Sequence, residues 1–240
     1  DSGGGVIVTW QDSRNGGSNN NDIYVRRMDA DGGPQWTDNG VAICTAVGNQ
    51  YNPQLVSDGS GGAIVTWYDH RNGTPDIYAQ RVDATGVPQW TENGVALSIG
   101  AGHQIHPQIE SDGSGGAIVT WPDISGDGYD IYAQQVNGAG VPQWLANSVA
   151  LCTAAGSQLY PQIASDDSGG AIVTWQDSRS GNEDIFVHRV RDDGGKVDVG
   201  SSALPTIRFS MRPNPTTAGA VFAGELPSRA SARLVVLDLE

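Results

Sequence analysis

The sequence predicts an all-β protein built from repeats, and three observations support this prediction. The stretch Ser-Asp-Gly-Ser-Gly-Gly-Ala-Ile-Val-Thr-Trp at 57–67 recurs at 111–121 and, with one change, at 165–175. Each repeat contains four short β-rich runs separated by Gly, Asn and Asp turns, which is the pattern of strands and hairpins. The chain also contains 33 Gly residues, and no stretch keeps helical periodicity over the length of a helix.

Two sets of tryptophans mark the repeat. One set ends the apolar runs and the other follows a Pro-Gln pair: Trp10, Trp67, Trp121 and Trp175, and then Trp36, Trp90 and Trp144. The spacing within each set is 54 residues, except that Trp10 precedes Trp67 by 57 because the loop near 17–21 has gained three residues. A fixed period in this range is typical of propellers, solenoids and arrays. We interpret all seven tryptophans as structural residues of the repeat.

The apolar run that ends each recurring stretch favours a β-propeller of four-stranded blades. In Ala63–Trp67 both faces of the pleat are apolar, so the strand needs cover on both sides. A blade packed between two neighbouring blades provides that cover. Four repeats are visible. A β-solenoid is the alternative, although its rungs are usually shorter than this repeat.

The repeats also predict the domain organisation. The four propeller repeats occupy residues 1–196 and are listed by their approximate bounds: 1–57, 58–111, 112–165 and 166–196. A linker follows at 197–208. We expect residues 209–240 to form part of a separate β-rich domain, or a cap that closes the propeller.

Composition excludes several classes of function. The net charge of −14 argues against nucleic-acid binding and against docking on anionic lipid, because both need Lys and Arg. No run of 18 apolar residues is present, so we expect no membrane span. Cys44 and Cys152 occupy equivalent positions two repeats apart, beyond the reach of a disulfide, and we expect two small buried thiols.

The tail contains three motifs in a fixed order: Pro213-Asn214-Pro215, Leu226-Pro227, and an aliphatic stretch that ends at Leu237-Asp238-Leu239. This order resembles the start of the C-terminal sorting domain of the bacterial type IX secretion system. The match covers about half of such a domain. The resemblance implies export across an outer membrane, and hence a protein that is secreted or held at the cell surface.

The loop after the first tryptophan of each repeat is the first candidate site. Three repeats carry two aspartates and an arginine there: Asp12, Arg14 and Asp22; Asp69, Arg71 and Asp76; and Asp177, Arg179 and Asp184. We interpret these loops as hairpins in which Asp accepts backbone N–H groups and pairs with Arg. The third repeat has no Arg, and Asp123, Asp127 and Asp130 there are candidate calcium ligands. Calcium is the only cofactor that the sequence suggests.

Two further motifs recur. Asp58, Asp112 and Asp166 open the recurring stretch and are interpreted as turn formers. A second loop combines a constant Gln with a variable tip: Gln50 and Asn52, Gln104 and His106, Gln158 and Tyr160. A constant frame with variable polar or aromatic tips suits a binding rim, and neutral variation of a loop gives the same pattern.

The leading functional hypothesis is a non-enzymatic extracellular binding or adhesion module, with a glycan or a cell-surface protein as its partner. An enzyme would need one acid, base or nucleophile placed once, whereas this sequence offers repetition and no catalytic motif. One alternative is a glycoside-hydrolase-type propeller enzyme with catalytic residues in repeat-specific loops. Another is a structural repeat protein that self-assembles into a homo-oligomer.

Overall fold

The structure is a computed structural model that describes residues 5–15, 20–124, 126, 128–144, 148–195, 210–213 and 220–223. The chain divides into two compact units, 1–196 and 197–240. All regular elements of the described residues are β-strands. In the first unit they are β1 (Val6–Asp12), β2 (Asp22–Met28), β3 (Val41–Cys44), β4 (Gln50–Ser57), β5 (Ala63–Asn72), β6 (Thr74–Val82), β7 (Val95–Ser98), β8 (His103–Gln104), β9 (Gln108–Ser111), β10 (Ala117–Ile124), β11 (Asp130–Val136), β12 (Val149–Cys152), β13 (Gln158–Ser165), β14 (Ala171–Asp177) and β15 (Asp184–Val190).

These strands form four antiparallel sheets in chain order. The first sheet is β1-β2-β3, the second is β4-β5-β6-β7, and the fourth is β13-β14-β15. In the third sheet β8 and β9 both pair with β10, followed by β11 and β12, so its first strand is broken in two. The all-β, propeller-type fold predicted from the sequence is confirmed, and the full four-strand blade is seen most plainly in the second sheet.

The sheets are offset from the sequence repeats. β4 closes the first repeat of the sequence, but it pairs with β5 of the second. The same register recurs at β13 and β14. The second, third and fourth sheets therefore begin with the segment that carries the constant Gln and its variable tip, which places that tip beside the end of the next strand.

The core lies between neighbouring sheets. Trp67 and Trp121 are fully buried, and Trp175 is 4% exposed. Each one packs in a cluster with one strand of the preceding sheet (β2, β6 or β11), for example Trp67 with Ile23 and Val25 of β2. This arrangement agrees with the expectation that strands with two apolar faces are covered on both sides.

The second set of tryptophans joins each sheet to the next. Trp36 Nε1 donates to Ala84 O at 3.1 Å, and Trp90 Nε1 donates to Gly138 O at 3.0 Å. Trp144 repeats the contact to a carbonyl 48 residues further on. At Gly140 a Cβ would lie 2.7 Å from the Trp90 ring, so the turn can approach the indole only with glycine there.

The turn at the start of the recurring stretch is built by its aspartate. Asp58 Oδ1 accepts N–H groups from Ser60 and Gly62, both at 2.8 Å. Asp112 and Asp166 make the equivalent bonds. The prediction that Asp58, Asp112 and Asp166 are turn formers is confirmed.

The two cysteines are free and lie in different sheets. Cys44 is buried, whereas Cys152 is only partly buried, so the prediction of two buried thiols holds for one of them. Burial raises the pKa of the Cys44 thiol to about 12. A thiol with that pKa is protonated at neutral pH and is a poor nucleophile.

The second unit is described only at β16 (Ser210–Pro213) and β17 (Ala220–Ala223), which form an antiparallel hairpin. The linker and the Leu-Pro and Leu-Asp-Leu motifs lie outside the described residues. The resemblance to a sorting domain and the domain boundaries stay predictions. A search of the described residues finds no helix with the length and apolar character needed to cross a membrane.

Candidate functional site

One end of each sheet carries an aspartate that follows the buried tryptophan by two residues. In the second sheet Asp69 Oδ2 accepts from Trp67 Nε1 at 2.9 Å and pairs with Arg71 at 2.6 Å. The Arg71 guanidinium lies 3.8 Å from the centre of the Tyr78 ring. The first and fourth sheets contain the same group of an aspartate, an arginine and an aromatic ring: Asp12, Arg14 and Tyr24, and Asp177, Arg179 and Phe186.

Two of these aspartates, Asp12 and Asp177, have lowered pKa values and are held as structural anions. The hydrogen bond from Arg14 holds the pKa of Asp12 well below its usual range. Burial acts against ionisation of Asp177, but bonds from Arg179 and Trp175 outweigh it and hold that pKa at about 2. The prediction that the loop aspartates accept backbone N–H groups and pair with Arg is confirmed in these sheets.

The third sheet lacks the arginine of this group. Residue 125 is Ser where the other repeats have Arg. Among the described residues, Trp121 Nε1 and Asp123 Oδ1 are buried and have no hydrogen-bond partner. A Cβ at Gly102 would lie 1.9 Å from Asp123 Oδ1, so glycine makes room for this carboxyl. Asp123 is 7% exposed, so its carboxyl group is buried. It lacks the Arg that pairs with each of its equivalents Asp12, Asp69 and Asp177.

Two carboxyl groups of the third sheet have raised pKa values. Asp123 on β10 stands opposite Asp130 on β11. Burial raises the pKa of Asp123, and the nearby charges of Asp130 and Asp76 raise it further, against a hydrogen bond from Gln104. Burial also raises the pKa of Asp130, which is the more exposed of the pair. Such shifts are typical of proton-transfer groups.

The predicted calcium ligands are only partly visible. Asp123 and Asp130 face each other across two strands, whereas Asp127 lies outside the described residues. In the portion of the chain that the structure describes, no three His, Cys, Asp or Glu side chains are grouped so as to hold a metal ion. Calcium at Asp123, Asp127 and Asp130 therefore stays a prediction.

The variable tips lie at irregularities in the first strand of each blade. Asn52, His106 and Tyr160 have φ values of 51°, 48° and 54°. This left-handed conformation is uncommon for residues other than glycine and is often found at functional sites. The strand register shifts at the same positions in β4 and β13. A bulge of this kind turns a side chain out of the regular sheet.

The constant glutamines lie behind these tips. Gln50, Gln104 and Gln158 are at most 1% exposed. Gln50 Nε2 donates to Ala46 O at 3.2 Å, and Gln158 Nε2 makes the equivalent bond to a carbonyl at 3.1 Å. The six-residue rim stays a prediction: its three glutamines are buried and hold the loops in place, so any contact with a ligand is expected mainly at the three tips.

An aromatic cluster, which the sequence analysis did not identify, adjoins two of the tips. The ring centroids of Tyr51 and Tyr68 lie 5.5 Å apart, and those of Tyr68 and His106 lie 5.8 Å apart. His70 lies 5.8 Å from both tyrosines. Asn52 Nδ2 is in hydrogen-bond contact with His106 Nδ1. The available signal was the adjacent Tyr51-Asn52 pair, but the contact with Tyr68 depends on strand register.

The cluster and the carboxyl pair lie at the same end of the sheets. His106 follows Gln104 by two residues, and Gln104 pairs with Asp123 at the end of β10. A shallow polar cavity lies at the other end, between the third and fourth sheets, where Asp112, Asn137 and Asp167 line it. Turn formers make up that lining, and Asp112 already accepts backbone bonds, so we assign the candidate site to the end with Asp123.

Comparison with known proteins gives structural matches alone. No protein-family model matches the chain, and no curated protein matches it in sequence. An endo-arabinase from Bacteroides thetaiotaomicron VPI-5482 is 16% identical with a TM-score of 0.41, over 77% of this chain and 70% of the other. A protein described as TolB from Agrobacterium tumefaciens is 17% identical with a TM-score of 0.44, over 79% of this chain and 58% of the other.

A third match is described as an exo-beta-1,3-galactanase from Bifidobacterium bifidum s17. It is 14% identical with a TM-score of 0.43, over 80% of this chain and 65% of the other. The chain therefore spans less than two thirds of the TolB and galactanase chains. At these identities the likeness concerns the fold.

The preference for a non-enzymatic binding or adhesion module is contradicted. The matching structures are mainly described as glycoside-cleaving enzymes, and they agree better with the alternative of a glycoside-hydrolase-type propeller. The residue types repeat from one sheet to the next and gave no sign of the asymmetry that an enzyme needs. Among the described residues, the asymmetry lies in the aspartate that follows the first tryptophan of each repeat by two residues, because Asp123 lacks the Arg that pairs with Asp12, Asp69 and Asp177.

Proposed function

We propose that this chain contributes the active face of a glycoside-hydrolase-type propeller enzyme. The observation that carries the proposal is the pair Asp123 and Asp130, whose pKa values are both raised while those of Asp12 and Asp177 are lowered. Glycoside hydrolysis needs a carboxyl group that holds its proton near neutral pH and a second carboxyl nearby. Each sheet has a facing pair of aspartates at this position, but among the described residues the pair in the third sheet is the one without the Arg that binds Asp12, Asp69 or Asp177.

Asp130 is the proposed proton donor. It is more exposed than Asp123, and burial shifts its pKa upward, in the direction that a proton donor to the oxygen of the leaving sugar requires. Asp123 lies opposite on the neighbouring strand and is buried. Asp123 is the second carboxyl group that the reaction needs beside the proton donor.

The aromatic cluster is the proposed sugar platform. Sugar rings present apolar C–H faces that pack on aromatic side chains, and their hydroxyls bond to polar groups beside those rings. Tyr51, Tyr68 and His106 supply the rings, and Asn52 supplies an amide at the same place. Tyr160 is 67% exposed and extends the platform to the fourth sheet. A glycan is therefore the proposed substrate, and secretion would bring the enzyme to such polymers.

The direct test is hydrolysis of plant and microbial polysaccharides, measured as new reducing ends. The purified chain is expected to release reducing sugar from at least one polymer, with a rate that falls as pH rises through the pKa of Asp130. A panel that includes arabinans, galactans and mannans covers the sugars that the matching enzymes are named for. Binding to a polymer with no release of reducing ends at any pH would contradict the proposal.

The same assay with a calcium chelator distinguishes proton transfer by Asp130 from calcium binding by Asp123, Asp127 and Asp130. If Asp130 transfers a proton without a metal, the rate is unchanged by chelation. If activity is lost and then restored by calcium, Asp123, Asp127 and Asp130 bind the ion and the acid mechanism is wrong.

A further inference from the structure

Within residues 1–196, the first and fourth sheets each expose an apolar face. On β1, Val6 and Val8 are 50% and 38% exposed, and we call the surface formed by Val6, Val8 and Trp10 the leading face. On β15, Ile185 and Val187 are 67% and 41% exposed, and we call this pair the trailing face. Clustered apolar side chains of this kind mark interaction surfaces.

The interior of the same molecule shows what covers each face. The positions equivalent to Val6 and Val8 are Ala63 and Val65 in the second sheet, and both are fully buried. They pack against Ile23 and Val25 of the first sheet, which are the positions equivalent to Ile185 and Val187. The contact between the second and third sheets and the contact between the third and fourth sheets repeat this arrangement.

We infer that a second copy of this chain covers the trailing face with its own leading face. The two exposed surfaces have the chemistry of the two halves of a contact that the molecule makes three times within itself. Because the faces differ, the association is head-to-tail, and it ends in a closed ring or in a longer assembly. This inference is independent of the proposed enzymatic function.

A polar contact accompanies the apolar one in the interior. Arg27 Nη1 donates to Ala84 O at 3.3 Å, and Arg81 Nη1 donates to Gly138 O at 3.2 Å, each to the next sheet. Arg189 is the equivalent residue of the fourth sheet, and its side chain is 45% exposed. The equivalent acceptor on the first sheet is the carbonyl of Ala30. The expected contact is therefore from Arg189 of one copy to Ala30 O of the other.

Light scattering of the purified chain tests the inference. The mass is expected to be at least twice that of one 25.1 kDa chain and to fall on dilution. Ile185→Asp places a charge on the trailing face and is expected to weaken association by about tenfold or more. Val141→Asp is the matched control, because Val141 is 52% exposed and lies outside both faces.

Mixing two variants tests the head-to-tail arrangement. Val8→Asp disables the leading face, and Ile185→Asp disables the trailing face, so each alone is expected to be monomeric. Equal amounts of the two retain one intact pair of faces and are expected to form dimers. A monomeric parent chain, an Ile185→Asp variant that stays assembled, or a mixture that stays monomeric would overturn the inference. Circular dichroism of each variant checks that the sheets are retained.

Discussion

Replacing Asp130 with Asn is expected to lower the rate of polysaccharide hydrolysis about 10²–10⁴-fold, the usual contribution of a general acid. Asn has the same shape but cannot donate the proton that the leaving sugar requires. The loss is expected to be much smaller for a nitrophenyl glycoside, whose leaving group departs without protonation. The measurement is the rate of release of reducing ends compared with that of nitrophenol.

Asp184→Asn is the matched control for this variant. Asp184 occupies the equivalent position in the fourth sheet, is exposed, and accepts a hydrogen bond from Ser180 Oγ at 2.7 Å. Its replacement is expected to leave the rate unchanged. Equal losses in the two variants, or equal losses on both substrates for Asp130→Asn, would show that Asp130 is not the proton donor.

Replacing Trp67 with Ala is expected to lower the free energy of unfolding by about 3–5 kcal/mol, the usual cost of deleting a buried indole. Trp67 is fully buried in the contact between the first two sheets, and its Nε1 donates to Asp69 at 2.9 Å. The removal leaves a cavity and takes one of the hydrogen bonds from Asp69 Oδ2, which keeps its bond to Arg71. A loss of this size is a large share of the stability of a typical domain. Urea unfolding followed by tryptophan fluorescence or circular dichroism measures it.

Trp67→Phe separates the two contributions. Phe keeps most of the apolar contact and loses the bond to Asp69, so we expect a smaller loss of stability than for Ala. Val87→Ala, at a side chain that is 52% exposed, is expected to change the free energy of unfolding by about 0.5 kcal/mol or less. A Trp67→Ala variant as stable as the Val87→Ala variant would contradict the view that the tryptophans hold adjacent sheets together.

The fold could be predicted because its determinants are local and repeated. The apolar runs, the turn aspartates and both sets of tryptophans lie within each 54-residue repeat, and the structure uses them in the same way each time. Apolar character on both faces of Ala63–Trp67 already indicated packing between two sheets. The sequence did not indicate where each sheet begins within the repeat, because β4 belongs to the first repeat but pairs with β5 of the second.

The candidate site was harder to predict because it depends on contacts between strands. Asp123 and Asp130 were singled out by the missing Arg, but they were interpreted as calcium ligands, since sequence alone does not reveal burial. The raised pKa values follow from burial and from facing charges. Tyr68 was overlooked because its contacts with Tyr51 and His106 arise only when β4, β5 and the third sheet come together.

The most direct test of the central claim is a titration of the aspartate carboxyls by carbon NMR, with signals assigned through Asp123→Asn, Asp130→Asn and Asp177→Asn variants. We expect Asp123 and Asp130 to titrate above the ordinary value of 3.8, whereas Asp177 titrates at about 2. That result would show that these two carboxyls of the third repeat lose their protons at higher pH than Asp177 does. If Asp123 and Asp130 titrate at or below 3.8, the third sheet is electrostatically like its neighbours and the proposed proton donor is contradicted.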